Sequence, residues 1–205
     1  MLVGYPLAYY LATRAGTKKT VLLVLVVVPF WTSFLIRTYA WLTILGSTGI
    51  PSILEGLGFQ KIVLLNTPLA VMVGIVYNYL PLMVFPLYVS LERLDKRLLE
   101  ASRDLGAGRL ATFRQVTLPL TLPGVLSGVI LVFIPIMGEY LIPALLGGGR
   151  VFFVGNALVD TFLQSRNWPF GSAMAIGLIL FVLVTVALYL RVGARGQGER
   201  EITLV

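Results

Sequence analysis

An all-α, polytopic transmembrane helical bundle is the fold class this sequence predicts, and three observations carry the prediction. Hydrophobic residues make up 58% of the 205-residue chain, and mean hydropathy is +0.91, whereas a soluble domain holds only about 45–50% apolar residues. Charged residues are scarce, 12% of the total, and they gather between the apolar runs. The longer runs are long enough, at ~1.5 Å rise per residue, to cross a ~30 Å hydrocarbon core. The expected architecture is about four full spans plus an N-terminal partial span, in a single transmembrane domain over residues 1–205.

The elements follow in chain order. Residues 1–12 are apolar, but twelve residues reach only ~18 Å, too little to span. No basic stretch precedes them and no cleavage-type site follows, so they do not read as a signal peptide. Residues 13–20 form a basic loop with Arg14, Lys18 and Lys19, and residues 21–45 a long span carrying Pro29 and Arg37. A glycine-rich connection over 46–66 leads to a span over 67–90, with Pro81 and Pro86 near its end. A charged island at 91–117 precedes a span over 118–137 that contains Pro123 and Pro135. The remainder reads as a long, partly polar loop at 138–169, a last span over 171–190 and a polar tail at 191–205.

The island is the one long stretch that is neither apolar nor glycine-punctuated loop. Leu91, Leu94, Leu98, Ala101 and Leu105 recur at steps of three and four, one face of an amphipathic helix. Gly106 and Gly108 interrupt it, and a second helical piece runs from Arg109 through Val116 to Leu118 and Pro119. Helix, bend and helix make a compact knob with an apolar stripe and a basic rim. Twelve of the sixteen Lys and Arg residues fall in the loops on the island's side, at 13–20, 91–117 and 191–205. Only Lys61, Arg150 and Arg166 fall in the opposite loops. Because basic loops stay on the cytoplasmic side, the island and the C-terminus are expected there. The net charge of +7 is thus a topology signal, and no nucleic-acid partner is expected.

Several chemistries are excluded. There is no Cys and no His, which removes thiolate nucleophiles, the commonest general base and the commonest metal ligands. No catalytic residue and no metal site is expected. No G-x-x-x-x-G-K-[ST] phosphate loop occurs, and Gly16-Thr17-Lys18-Lys19-Thr20 does not fit it.

Within the island, Glu100-Ala101-Ser102, then Gly106 after three residues, then Val116-x-Leu118-Pro119 after nine more, resembles the EAA loop of ABC-importer permease subunits. The family pattern is E-A-A-x3-G-x9-I-x-L-P; Ser102 and Val116 are the departures, and both keep size or shape. The resemblance implies a transport subunit rather than an enzyme, in the plasma (bacterial inner) membrane. It implies that the loop couples to a cytoplasmic ABC ATPase dimer, which binds the ATP, so that this chain needs no cofactor. It further implies a second permease subunit and a periplasmic or lipid-anchored substrate-binding protein as partners. Ala101 and Ser102 would be small for close packing, Gly106 would let the backbone bend without a clash, and Glu100 would cap a helix or pair with a partner's basic residue or with Arg97 or Arg103. Pro119 would fix entry into the next span, its missing N–H tolerated at a helix start.

A wider resemblance points to the spermidine/putrescine branch of these permeases. It is carried by Arg37-Thr38-Tyr39-Ala40-Trp41, by Gly138-Glu139-Tyr140 with Ile142-Pro143 and Leu145-Leu146-Gly147-Gly148, and by Asn167-Trp168-Pro169, where the branch commonly has Asp for Asn167. By this likeness the first residues match the end of a second span, so that an N-terminal span and a half is expected to be missing. Permeases for iron(III), phosphonate or sulfate-type substrates share the coupling loop and are the alternative. An ATP-independent secondary transporter is the rival class, disfavoured because no Asp or Glu lies within 21–45, 67–90 or 171–190.

A polyamine is a flexible polycation, best held by carboxylates and aromatic faces. The pathway candidates are therefore Glu139, Tyr140, Arg37, Tyr39, Trp41 and Asp160. Glu139, just after a span, is a functional candidate because a carboxylate at that depth is costly; a salt bridge to Arg37, substrate contact and an interfacial charge are the open readings. Asp160 reads as a loop-capping or solvated acid, and Trp168 as an interfacial anchor.

Overall fold

The computed structural model describes residues 1–202, with side chains through Arg191. Among these residues the regular structure is entirely helical. In chain order the α-helices are α1 (Gly4–Thr13), α2 (Lys19–Trp31), α3 (Phe34–Leu45), α4 (Ile50–Gly56), α5 (Pro68–Glu92), α6 (Lys96–Asp104), α7 (Arg109–Thr112), α8 (Leu118–Leu120), α9 (Leu122–Met137), α10 (Leu141–Leu146), α11 (Val154–Val159) and α12 (Trp168–Ile202). Wide π-type turns occupy Phe113–Thr117 and Asp160–Gln164.

Two helices, Pro68–Glu92 and Trp168–Arg191, are each long and apolar enough to cross a membrane. Two bent pairs, Gly16–Trp31 with Phe34–Gly56 and Arg109–Leu120 with Leu122–Met137, bring the number to four if each crosses as one. The span expected over 21–45 is thus not continuous: it turns by 97° at Thr32-Ser33. Pro29 cannot donate to the carbonyl one turn back, and Thr32 folds onto Pro29 instead, its N–H at 3.2 Å and its hydroxyl at 2.7 Å from the Pro29 oxygen. Ser33 then leaves the helical region at φ −54°, ψ 134°. The span expected over 118–137 is likewise broken, by 64° at Thr121. Pro123 supplies no N–H to this turn, and the Thr121 hydroxyl bonds the Thr117 carbonyl at 2.8 Å, a back-bond that bends helices.

Four further expectations are corrected. The connection over 46–66 contains α4, and the loop over 138–169 contains α10, α11 and a wide turn. Leu91 and Glu92 belong to α5, so the amphipathic helix of the island starts at Lys96, capped by the Asp95 carboxylate accepting from Arg97 N at 2.9 Å. Of the polar tail expected at 191–205, residues up to Ile202 continue α12; residues 203–205 lie outside the described part.

The chain divides into two compact units. The first comprises Met1–Leu25, Leu80–Val132 and Val184–Val205. Its core includes Ala8, Leu11, Val84, Leu87, Leu91 and Val125. In lipid, apolar burial does not itself drive helices together, so close backbone approach matters more. Gly124 and Gly128, one turn apart on α9, provide it: a Cβ on Gly124 would collide with the Ser90 side chain and the Pro86 carbonyl, and one on Gly128 would sit 3.2 Å from the Met83 carbonyl.

The second unit comprises Val26–Tyr79 and Phe133–Leu183. Leu45, Ala70, Val71, Ile142 and Leu146 form its apolar centre. Gly74 on α5 admits α10, since a Cβ there would meet Leu146 Cδ1 at 2.6 Å and Ile142 Cγ2 at 3.0 Å. On α12, Ile176, Ile179, Leu180, Phe181 and Leu183 are exposed, a surface that demands hydrocarbon or a protein partner.

Candidate functional site

The knob is built in the first unit from α6 to α8. Helix α6 ends in a paired closure: Gly106 N–H donates to the Arg103 carbonyl at 2.8 Å and Ala107 N–H to the Ser102 carbonyl at 3.1 Å. This Schellman pattern needs a left-handed residue between them, and Gly106 has φ +83°. A Cβ on Gly106 would meet nothing within 4 Å. The glycine therefore serves backbone conformation. Ser102 Oγ and Thr112 Oγ1 lie 3.1 Å apart, tying α6 to α7 across the bend.

The motif residues divide in two. Glu100 and Ala101 are exposed, and among the described residues no hydrogen bond or ion pair joins Glu100 to Arg97 or Arg103. Leu98, Leu105 and Leu110 are exposed beside them, Leu105 at 88%. Val116, Leu118 and Pro119 are half-buried, and Thr117 between them is buried. The first half offers an apolar surface with charged margins; the second anchors that surface to the span.

The acidic candidate lies in the second unit. Glu139 is buried, at 6% exposure, and both of its oxygens are engaged. Oε1 accepts the N–H groups of Leu141 at 2.8 Å and Ile142 at 3.0 Å, closing the N-terminus of α10. Oε2 accepts the Tyr79 hydroxyl from α5. Asn156 of α11 holds the same turn by donating to the Tyr140 carbonyl at 2.9 Å, and Gly155 lets α11 approach so closely that a Cβ would stand 2.5 Å from the Glu139 carbonyl. Sequence reading missed Tyr79, Asn156 and Gly155; only the Gly155-Asn156 pair carries a local hint, a glycine beside a capping-type residue.

Arg37 does not pair with Glu139, against one of the expected readings: Lys19–Glu92 is the ion pair among the described residues. The Arg37 guanidinium carbon stands 5.4 Å from the Phe30 ring centre and 5.9 Å from that of Phe34. Its Nε is buried without a hydrogen-bond partner among the described residues, as is Oδ1 of Asn78. Tyr39 and Tyr140 are exposed, at 53% and 43%. Trp41 packs edge-on against Tyr77 at 5.4 Å and against the apolar centre. Asp160 accepts from the Gln164 side-chain Nε2 at 2.8 Å within its own turn. Trp168 is exposed at the start of α12, and Asn167 Oδ1 accepts from Phe170 N–H at 3.3 Å there.

An apolar helical chain with interrupted spans and a self-closed knob between two of them has the form of a transporter's membrane subunit. Residues 4–195 match the family of binding-protein-dependent transport system inner membrane components, and the chain belongs to that family. It is an ABC-importer permease subunit. It is 46% identical, over 93% of its length and 68% of the relative's, to the spermidine/putrescine transport system permease protein PotB of Haemophilus influenzae. Identity to PotB of Escherichia coli K12 is 43%, over 93% of this chain and 70% of that one. The fold is shared with a bacterial ABC transporter that imports the acidic polysaccharide alginate, at a TM-score of 0.71 and 18% identity over 95% of this chain and 73% of that one.

Proposed function

We propose that this subunit carries polyamines, of the putrescine and spermidine type, inward across the bacterial inner membrane by alternating access. The observation that carries the substrate is the identity of 43–46% to spermidine/putrescine permeases over 93% of the chain. Glu100, Ala101 and Ser102 with Leu105 form the docking face for a separate ATPase dimer, which binds and hydrolyses the ATP. Val116, Leu118 and Pro119 pass the resulting movement to α9. A second permease subunit completes the pathway, and a binding protein delivers the substrate. The knob and the C-terminus face the cytoplasm in this reading, which the one-sided basic loops support.

Within the pathway, Glu139 shapes the wall: its charge is spent on Tyr79 and on α10. The exposed aromatic faces of Tyr39 and Tyr140 are the groups open to a polycation. Uptake of labelled putrescine by cells expressing the assembled transporter tests the substrate. Competition by unlabelled spermidine is the expected result; competition by iron(III), phosphonate or sulfate in its place overturns it. Cysteines replacing Ser102 and Ser165 are expected to react with impermeant reagents from opposite membrane faces, and labelling from one face overturns the topology.

A further inference from the structure

The join between the knob and α9 is held by a residue far away in sequence. Tyr5, on α1, and Thr121 are both buried, and their hydroxyl oxygens lie 2.8 Å apart across a separation of 116 residues. The Thr121 hydroxyl hydrogen is directed at the Thr117 carbonyl at 2.8 Å, so Tyr5 is the donor. The bond falls on the residue where the helix turns by 64°.

Helix α1 also holds the other end of the wide turn that precedes this bend. The Tyr5 and Tyr9 rings meet Phe113, first residue of the Phe113–Thr117 turn, edge-on at 5.6 Å and 6.1 Å. A single π-type turn inside helical structure is rare and is found mostly at functional sites. Here it is flanked by Thr112, bonded to Ser102 of the knob, and by Thr121, bonded to Tyr5. An open groove of about 950 Å³ lies between Tyr9 and Arg14 on one side and Leu99, Arg103 and Leu110 on the other, with Phe113 and Thr117 also lining it.

We propose that the Tyr5–Thr121 bond is the pivot about which displacement of the knob turns α9, making both residues positioning residues for transport. The inference rests on the docking role proposed above for the knob. If α1 fixes Thr121 while the knob is pushed, the strain falls on the wide Phe113–Thr117 turn and α9 rotates. Without the bond, the push is absorbed at Thr121 and ATP is spent without movement of substrate.

The test is the transporter reconstituted in lipid vesicles with its ATPase, second permease and binding protein, measuring putrescine moved per ATP hydrolysed. Tyr5→Phe and Thr121→Val are each expected to lower this ratio roughly three- to tenfold, the range one buried hydrogen bond permits. The double variant is expected to be no worse than either single one, and Thr121→Ser to restore the ratio. An unchanged ratio in Tyr5→Phe overturns the pivot, as does a parallel fall of uptake and hydrolysis, which would mark a purely structural bond. Additive losses in the double variant overturn it too. A wild-type assembly in which binding protein stimulates neither hydrolysis nor uptake overturns the docking reading itself, and the pivot with it.

Discussion

The knob and the Glu139 turn are both short helical insertions between spans, yet their polar groups are used in opposite ways. In the knob, the bonds of Asp95, Ser102, Gly106 and Ala107 set the shape, and they leave Glu100, Leu105 and Leu110 exposed. At Glu139 both carboxylate oxygens, the Tyr79 hydroxyl and the N–H groups of Leu141 and Ile142 close on one another. A surface meant for a partner keeps apolar area and charge uncommitted; a polar group buried at membrane depth has to be satisfied from within the chain. The difference teaches that an acid beside a span is not a substrate site by virtue of its depth.

Substitutions at four residues sharpen that contrast. Glu139→Ala strips three donors of a charged acceptor and is expected to cost about 3 kcal/mol or more, read as a large loss of thermal stability in detergent; Glu139→Gln, which keeps one acceptor oxygen, is expected to lose about half of that. If the Gln variant keeps its melting temperature and only its apparent KM for putrescine rises, Glu139 is a pathway residue after all. Next in size is Gly106. A side chain in the left-handed region costs about 1–2 kcal/mol, so Gly106→Val is expected to abolish uptake at normal membrane abundance, while Gly106→Asn, tolerant of that region, retains most of it. Full uptake by the Val variant would show that the closing turn of α6 is not needed.

Leu105→Asp should leave stability within about 0.5 kcal/mol, as surface changes do, yet weaken co-purification with the ATPase about fivefold, as loss of an apolar anchor does. Undiminished co-purification would remove Leu105 from the docking face. The smallest effect belongs to Ser102→Ala, which loses one half-exposed hydroxyl contact worth about 0.5–1 kcal/mol; a slight fall in melting temperature with nearly normal uptake is expected, and loss of transport would give Ser102 a role beyond fastening α6 to α7.

The knob was legible because its instructions are local: Asp95 caps, Gly106 closes and the spaced motif sits within twenty residues. The spans were legible as apolar lengths, but hydropathy is blind to the backbone turns at Thr32-Ser33 and Thr121, and only prolines such as Pro29 and Pro123 hinted at the breaks. Residue periodicity also carried Leu91 into the wrong helix, because α5 and α6 are separated by three residues that keep the spacing in phase. The Glu139 turn was half legible: the acid stood out, but its partner Tyr79 lies 60 residues away and α10 is only six residues long. No local pattern encodes such a closure.

The close seating of Gly124 and Gly128 on α5 has a mechanical result. At Gly124 and Gly128 the backbone of α9 lies directly against the Met83, Pro86 and Ser90 side chains and the Met83 and Pro86 carbonyls, with no room left for a side chain of its own. Sliding along this seam would drive the α9 backbone into the Ser90 side chain and the Pro86 carbonyl, so this stretch of the two helices is expected to travel as one stave.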